Sequence, residues 1–244
     1  LAVEPAPPHR NVALRPGERL EAAGAQLGTV EGRRGDIPLL WRIRVDRPDV
    51  PLLYEAGEPI RYSYVPSAVP LGHYQTVFAT RPGSAEPPSA GRAFTWELLL
   101  ALRARGVALA EVLLHTGLSS YQDDEFDREH RLYEEWFEVG AAAVEAVRRA
   151  WRVVAVGTTV VRALETAGAR GPLAPASGWT ELRLGPDERP RVVDALLTGL
   201  HEPQASHWDM LRAFCDDELL ERAYAAAVGE RYLWHEFGDT MLIL

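Results

Sequence analysis

The clearest pattern along the chain lies at Val153 to Gly168, VVAVGTTVVRALETAG. There a short β-branched run stops at Gly157, and Val160, Val161, Leu164 and Ala167 then recur at helical spacing. The pattern predicts strand, tight turn and helix. Gly157 lets backbone approach a ligand, while Thr158 and Thr159 bring hydroxyls and N–H groups to the positive end of the helix, where anions bind favourably. Arg162 and Glu165, three positions apart, either face a common site or pair with each other. Taken alone, the segment reads more readily as a capped strand–turn–helix, because one glycine is a weak fingerprint.

The remaining pattern is short and punctuated. Residues 1–12 are proline-rich and expected to be extended. From Leu14 to Ile60, the runs ERLEAAG, AQLGTVEG and PLLWRIRV between glycines predict a small β-rich segment that needs a partner to bury its core. YQTVFAT, Tyr74 to Thr80, reads as a short strand or an extended loop. FTWELLLALRARG predicts a helix capped by Thr95, with Leu98, Leu99 and Leu102 as its apolar face and Gly106 as its stop. VALAEVLLHTG predicts a buried strand ending at His115, WFEV a strand and AAAVEAVRRA a helix. GWTELRL and RVVDALLT add two strands. Two helices follow, one opening near Ser206 and one from about Glu218 to Glu230, and FGDTMLIL closes the chain as turn and strand. The alternation implies an α/β fold: a small β-rich segment over residues 1–60, then an α/β domain over 61–244 with a largely parallel or mixed sheet.

Charge alters this picture more than bulk composition does. All 26 basic side chains are arginines, which excludes Schiff-base and phosphate-loop lysine chemistry. A net charge of −9 gives no general attraction to nucleic acid and leaves a local arginine patch as the route to binding it. The acids concentrate in QDDEFDREHRLYEEWFE, Gln122 to Glu138, which reads as a solvated face or loop. No apolar run approaches the roughly 20 residues of a membrane helix, and no basic-then-apolar signal opens the chain, so a cytoplasmic protein is expected. The chain starts at Leu1, as a processed product, a fragment or the ordered part of something longer would. Cys215, the single cysteine, has no internal partner, and its acidic helical setting argues against a nucleophile.

Ligands of open α/β sheets sit at the carboxyl ends of strands. That rule collects His115 and Thr116, Gly157 to Thr159, and His201 and Glu202, with Asp239 ahead of the last strand. The spacing of His201, Glu202 and His207 fits no metal motif, and no metal is expected. Ser206 reads best as a helix N-cap, since no GxSxG elbow is present. Trp208 and Trp234 are core anchors, or else stack on a purine or sulfonium.

Together these stretches resemble the S-adenosylmethionine:tRNA ribosyltransferase-isomerase family of queuosine biosynthesis. The resemblance rests on GEPIRYSYVP, YQTVFA, PSAGRAFT, LLHTGL, VVAVGTTVVRALE, VVDALLTGLHEPQASHWDML and YLWHEFGDTMLIL, in family order. It implies a small β-barrel-like domain joined to a larger α/β domain, with the chain's first 60 residues matching only the latter part of the barrel and the family's amino-terminal part lacking. It also implies transfer and isomerisation of the ribosyl unit of S-adenosylmethionine onto 7-aminomethyl-7-deazaguanine in tRNA. S-adenosylmethionine is then a co-substrate, tRNA the partner, and the protein a monomer. His115, His201, Glu165 and Asp239 are the implied catalytic residues. Gln75, Gly91, Arg92, Thr95, Thr116, Gly157, Thr158, Thr159, Arg162, Glu202 and Ser206 are the implied substrate-binding ones. The chain departs from the family pattern at GRAFT, GLSSYQ, the acidic run and GLHEPQASHW, where Gln204 stands in a lysine's place. Those departures keep two alternatives in view, a related enzyme acting on a small-molecule acceptor and a non-catalytic S-adenosylmethionine-binding protein.

Overall fold

The computed structural model describes residues 14–22, 24–34, 37–46, 54, 57–60, 65, 67–118, 134–200, 206–234 and 237–244. His201, Glu202, most of the acidic run and the Ser206 side chain lie outside that description. The chain divides into two compact units. One takes its described residues from Leu1–Leu71, the other from Gly72–Leu118 and Arg131–Leu244.

In the first unit β1 (Arg19–Ala22), β2 (Ala25–Arg34) and β3 (Ile37–Val45) form an antiparallel meander in that order. Gly24, at φ 74°, turns β1 into β2, a conformation that favours glycine. Val30 is buried and pairs with Ile43, while Gly28 pairs with Val45. The expected small β-rich segment is present. Among the described residues it is an open three-stranded sheet with β1 and β3 as its edges, and no barrel is shown.

The second unit is mixed α/β, with two three-stranded sheets instead of one. Its helix α1 (Trp96–Ala104) is capped by Thr95, whose Oγ1 accepts from Leu98 N–H at 3.2 Å. Only Leu99 of its expected apolar face is buried, and Leu98 turns outward. Strand β4 is confined to Leu113–His115; residues 107–111 are exposed and irregular, so the long buried strand expected there is corrected. β4 pairs antiparallel with β5 (Glu135–Val139), which pairs antiparallel with β7 (Ala176–Thr180). Helix α2 (Ala141–Arg149) lies between β5 and β6 (Val154–Val156) in sequence. β6 runs parallel to β8 (Ala195–Gly199), and β8 pairs antiparallel with β9 (Thr240–Ile243). Parallel pairing is therefore limited to one strand pair. Tyr74 to Thr80 is loop.

Helix α3 (Thr158–Gly168) packs against strands of both sheets, which explains its burial. Val161, Ala163 and Leu164 are buried, and so are Arg162 and Glu165. A helix enclosed on most sides has no solvent face for charges, so each charge on it needs an internal partner. Helices α4 (Ser206–Arg212) and α5 (Asp217–Gly229) follow, and Leu211 and Leu220 pack into the same core.

Candidate active site

The strand–turn–helix forms as its pattern predicts. β6 ends at Gly157, whose N–H donates to Leu197 O at 2.8 Å and ties the turn to the neighbouring parallel strand. Gly157 has φ 97°, and a Cβ there would lie 3.4 Å from Thr159 Oγ1 and 3.8 Å from Ala90 Cβ. Those distances are ordinary contacts, so the backbone conformation is what favours glycine, and the 3-10 turn Ser89–Ala93, which packs on β8, lies alongside. Thr158 and Thr159 occupy the first turn of α3, half-buried, at its electropositive end.

The Ser89–Ala93 turn links further segments to it. A Cβ on Gly91 would stand 2.9 Å from the Phe78 ring, so the loop carrying Gln75 and Phe78 packs on that 3-10 turn. The Arg92 guanidinium stacks 4.4 Å from the centre of the Phe237 ring, and the Tyr74 ring meets Phe237 edge-on at 4.9 Å. Contacts of Tyr74, Phe78, Ala90, Arg92 and Phe237 thereby link the stretches that carry Gln75, Gly91 and Arg92, Gly157 to Thr159, and Asp239. Asp239 closes its own turn: its carboxylate accepts from Leu233 N–H at 2.8 Å, and its N–H donates to Leu233 O at 2.9 Å.

His115 lies at a second corner, at the end of β4. Its Nδ1 is buried without a hydrogen-bond partner, and Gly83 covers the ring so closely that a Cβ there would fall 2.6 Å from Cε1. The covering segment is pinned by Thr116. Thr116 Oγ1 donates to Glu86 O at 2.9 Å and accepts from Glu86 N–H at 3.2 Å, while Ala85 N–H donates to Thr116 O at 2.9 Å. Ser84 Oγ accepts from Thr116 N–H at 3.3 Å. Thr116 and Thr95 both bond backbone through their hydroxyls.

Arg162 and Glu165 each hold partners of their own. Arg162 donates to Leu182 O at 3.1 Å and to Thr180 O at 3.2 Å, and forms a buried ion pair with Glu135. Glu165 accepts from three backbone amides, Arg191, Val192 and Val193, each at 2.9 Å. These contacts hold both side chains among the surrounding backbone and Glu135. Glu135 is the functional neighbour that pattern reading missed. It sits in the acidic run read as a solvated face, yet its Oε1 accepts from Gly117 N–H at 2.8 Å while Oε2 holds Arg162. One carboxylate thereby ties the His115–Gly117 corner to the helix that begins at Gly157.

Trp208 and Trp234 follow their core reading, both meeting Tyr224 edge-on, at 4.6 and 5.4 Å. Burial pushes the Cys215 thiol up from its ordinary value, and Asp216 and Asp217 add to the effect. Among the described residues no helix is long and apolar enough to cross a membrane, and no cluster of three metal-ligating side chains is present.

With this geometry in view, comparison with known proteins is decisive. Residues 8–243 match the family described as queuosine biosynthesis protein. The chain belongs to that family. It is 37% identical to the S-adenosylmethionine:tRNA ribosyltransferase-isomerase of Acaryochloris marina, over 99% of this chain and 71% of the relative. It is 40% identical to the enzyme of the same name from an Azoarcus species, over 94% of this chain and 69% of the relative. The crystal structure of S-adenosylmethionine tRNA ribosyltransferase from Thermotoga maritima superposes with a TM-score of 0.54 at 36% identity, covering 64% of this chain and 51% of that one. The chain thus spans about 70% of the length of these two curated relatives, and about half that of the solved structure.

Proposed function

We propose that this chain transfers the ribosyl unit of S-adenosylmethionine to 7-aminomethyl-7-deazaguanine in tRNA and rearranges it to an epoxycyclopentanediol, releasing adenine and methionine. The observation that carries the reading is the family match over residues 8–243, supported by relatives of that activity at 37% and 40% identity.

The reaction requires a site for a sulfonium and a carboxylate, a base for a proton next to sulfur, and a donor for departing adenine. In this reading the first turn of α3, with Gly157, Thr158 and Thr159, receives the methionine carboxylate, where the helix end favours negative charge. Gln75, Gly91 and Arg92 form the wall beside it, with Asp239 as a further polar group; Glu202 and Ser206, the other substrate-binding candidates, lie outside the described side chains. Arg162 and Glu165 act from behind by fixing α3. His115 and His201 are the acid/base pair.

The test is adenine release, followed chromatographically, when the protein, S-adenosylmethionine and tRNA bearing the aminomethyl base are combined. Adenine accumulating only when all three are present is expected. Equal release with a free small-molecule acceptor would move the assignment to another substrate, and no release under conditions where an established family enzyme turns over would overturn it.

A further inference from the structure

An acidic protein that modifies tRNA needs a local surface for phosphate, and the register of the small sheet supplies one. In antiparallel strands, directly opposed residues share a face, as do residues two apart along a strand. Arg19 of β1 opposes Thr29 of β2, which opposes Arg44 of β3, and Arg42 opposes Gly32. Arg19, Arg42 and Arg44 therefore stand on one face, and all three are exposed. The other face carries Leu20, Val30, Ile43 and Val45, with Val30 only 1% exposed. A register shift between Val30 and Gly32 takes Glu31 out of the ladder and sets glycine opposite Arg42, where regular pairing would put an acid among the arginines. The acids that do share the face, Glu21 and Asp46, lie toward its β1–β2 hairpin end, and Asp46 is bound by the Gln26 amide. Among the described residues, no ion pair or hydrogen bond occupies the Arg19, Arg42 or Arg44 guanidinium.

Arg42 and Arg44 are about 7 Å apart along the strand, and Arg44 and Arg19 about 10 Å apart across two strand spacings. The first interval is comparable with the separation of successive phosphates on one nucleic-acid strand. Guanidinium forks match phosphate oxygens with two hydrogen bonds each. We infer that the Arg19–Arg42–Arg44 face of the small sheet binds the sugar–phosphate backbone of the tRNA substrate, without reading its sequence. This rests on the tRNA reading above and adds to it a surface and a mode of contact.

The test measures tRNA affinity against salt for the full chain and for the R19Q/R42Q/R44Q variant, with S-adenosylmethionine binding measured beside it by calorimetry. Each phosphate contact contributes about 0.7–0.9 to the slope of log affinity against log salt, so the variant's slope should fall by about two to three. Its tRNA affinity at low salt should drop at least tenfold, with S-adenosylmethionine affinity unchanged. The R19K/R42K/R44K variant, which keeps the charges, should retain most of the slope. Should the glutamine variant fail to fold, single charge reversals such as R44E serve in its place, each expected to remove about one from the slope. Unchanged slope and affinity in folded variants, with tRNA binding by the parent protein intact, would overturn the inference alone. No tRNA binding by the parent protein would overturn it together with the tRNA reading.

Discussion

Glu165 and Arg162 show how a buried charge is tolerated when its partners are fixed backbone. Glu165 takes three amide N–H groups from residues 191–193, just ahead of β8, so its loss leaves the buried Val193 donor and two part-buried ones without that acceptor. Glu165→Ala should lower stability by about 3 kcal/mol in urea unfolding, the range expected for charged hydrogen bonds and orphaned buried groups. Arg162→Met should cost about 3–5 kcal/mol because it strands the Glu135 carboxylate, and adding Glu135→Leu should restore part of that loss. A near-zero cost for either single variant would contradict the scaffold assignment. Helical spacing made it legible that both residues lie on α3. Their partners were not, because these lie 18 to 28 residues away in sequence and, apart from Glu135, are backbone groups with no side-chain signature. Glu135 was hidden for the same reason, one acid among many until folding selected it.

At the scale of elements, two connections invite measurement. The segment over His115 depends on Gly83, which has φ 147° and lies against the ring. Gly83→Ala must displace either the segment or the imidazole. It should cost about 1–3 kcal/mol and shift the His115 ring resonances, with slower adenine release if His115 takes part in proton transfer. Unaltered resonances would show that the contact is loose. Between α4 and α5, Arg212 grips Asp217 with two 2.6 Å hydrogen bonds and holds its carboxyl below the usual range. A depressed folded value means the contribution is present above the unfolded value, near ~3.9, and fades as pH falls through the folded one. Wild type should therefore exceed Asp217→Asn in urea midpoint at neutral pH by a small margin that closes in acid; a margin constant with pH would exclude this pair as its source. Elements with strong local signals were legible, notably β6, α3, the Thr95-capped helix and the last strand. The strand expected over 107–117 was not, because Val107 and Leu109 are apolar yet exposed, and apolarity alone cannot tell a buried strand from a surface loop.

For the whole molecule, pattern and resemblance gave the mixed α/β class and the small antiparallel sheet, but not the division of the larger unit into two three-stranded sheets around α3. Strand partners depend on long-range pairing that no local period encodes. The candidate site was legible as a set of segments, and contacts of Tyr74, Phe78, Ala90, Arg92 and Phe237 link the Gln75, Gly91, Gly157 and Asp239 stretches. The central claim is that the ribosyl carbons of S-adenosylmethionine, and not its methyl group, end in tRNA. The most direct measurement uses two preparations of S-adenosylmethionine, one labelled in the ribose and one in the methyl group, each incubated with the protein and tRNA carrying the aminomethyl base. Ribose label recovered in tRNA in step with adenine released, with no methyl label, is the predicted result. Methyl label in tRNA, or adenine released while the ribose label stays in small molecules, would contradict it.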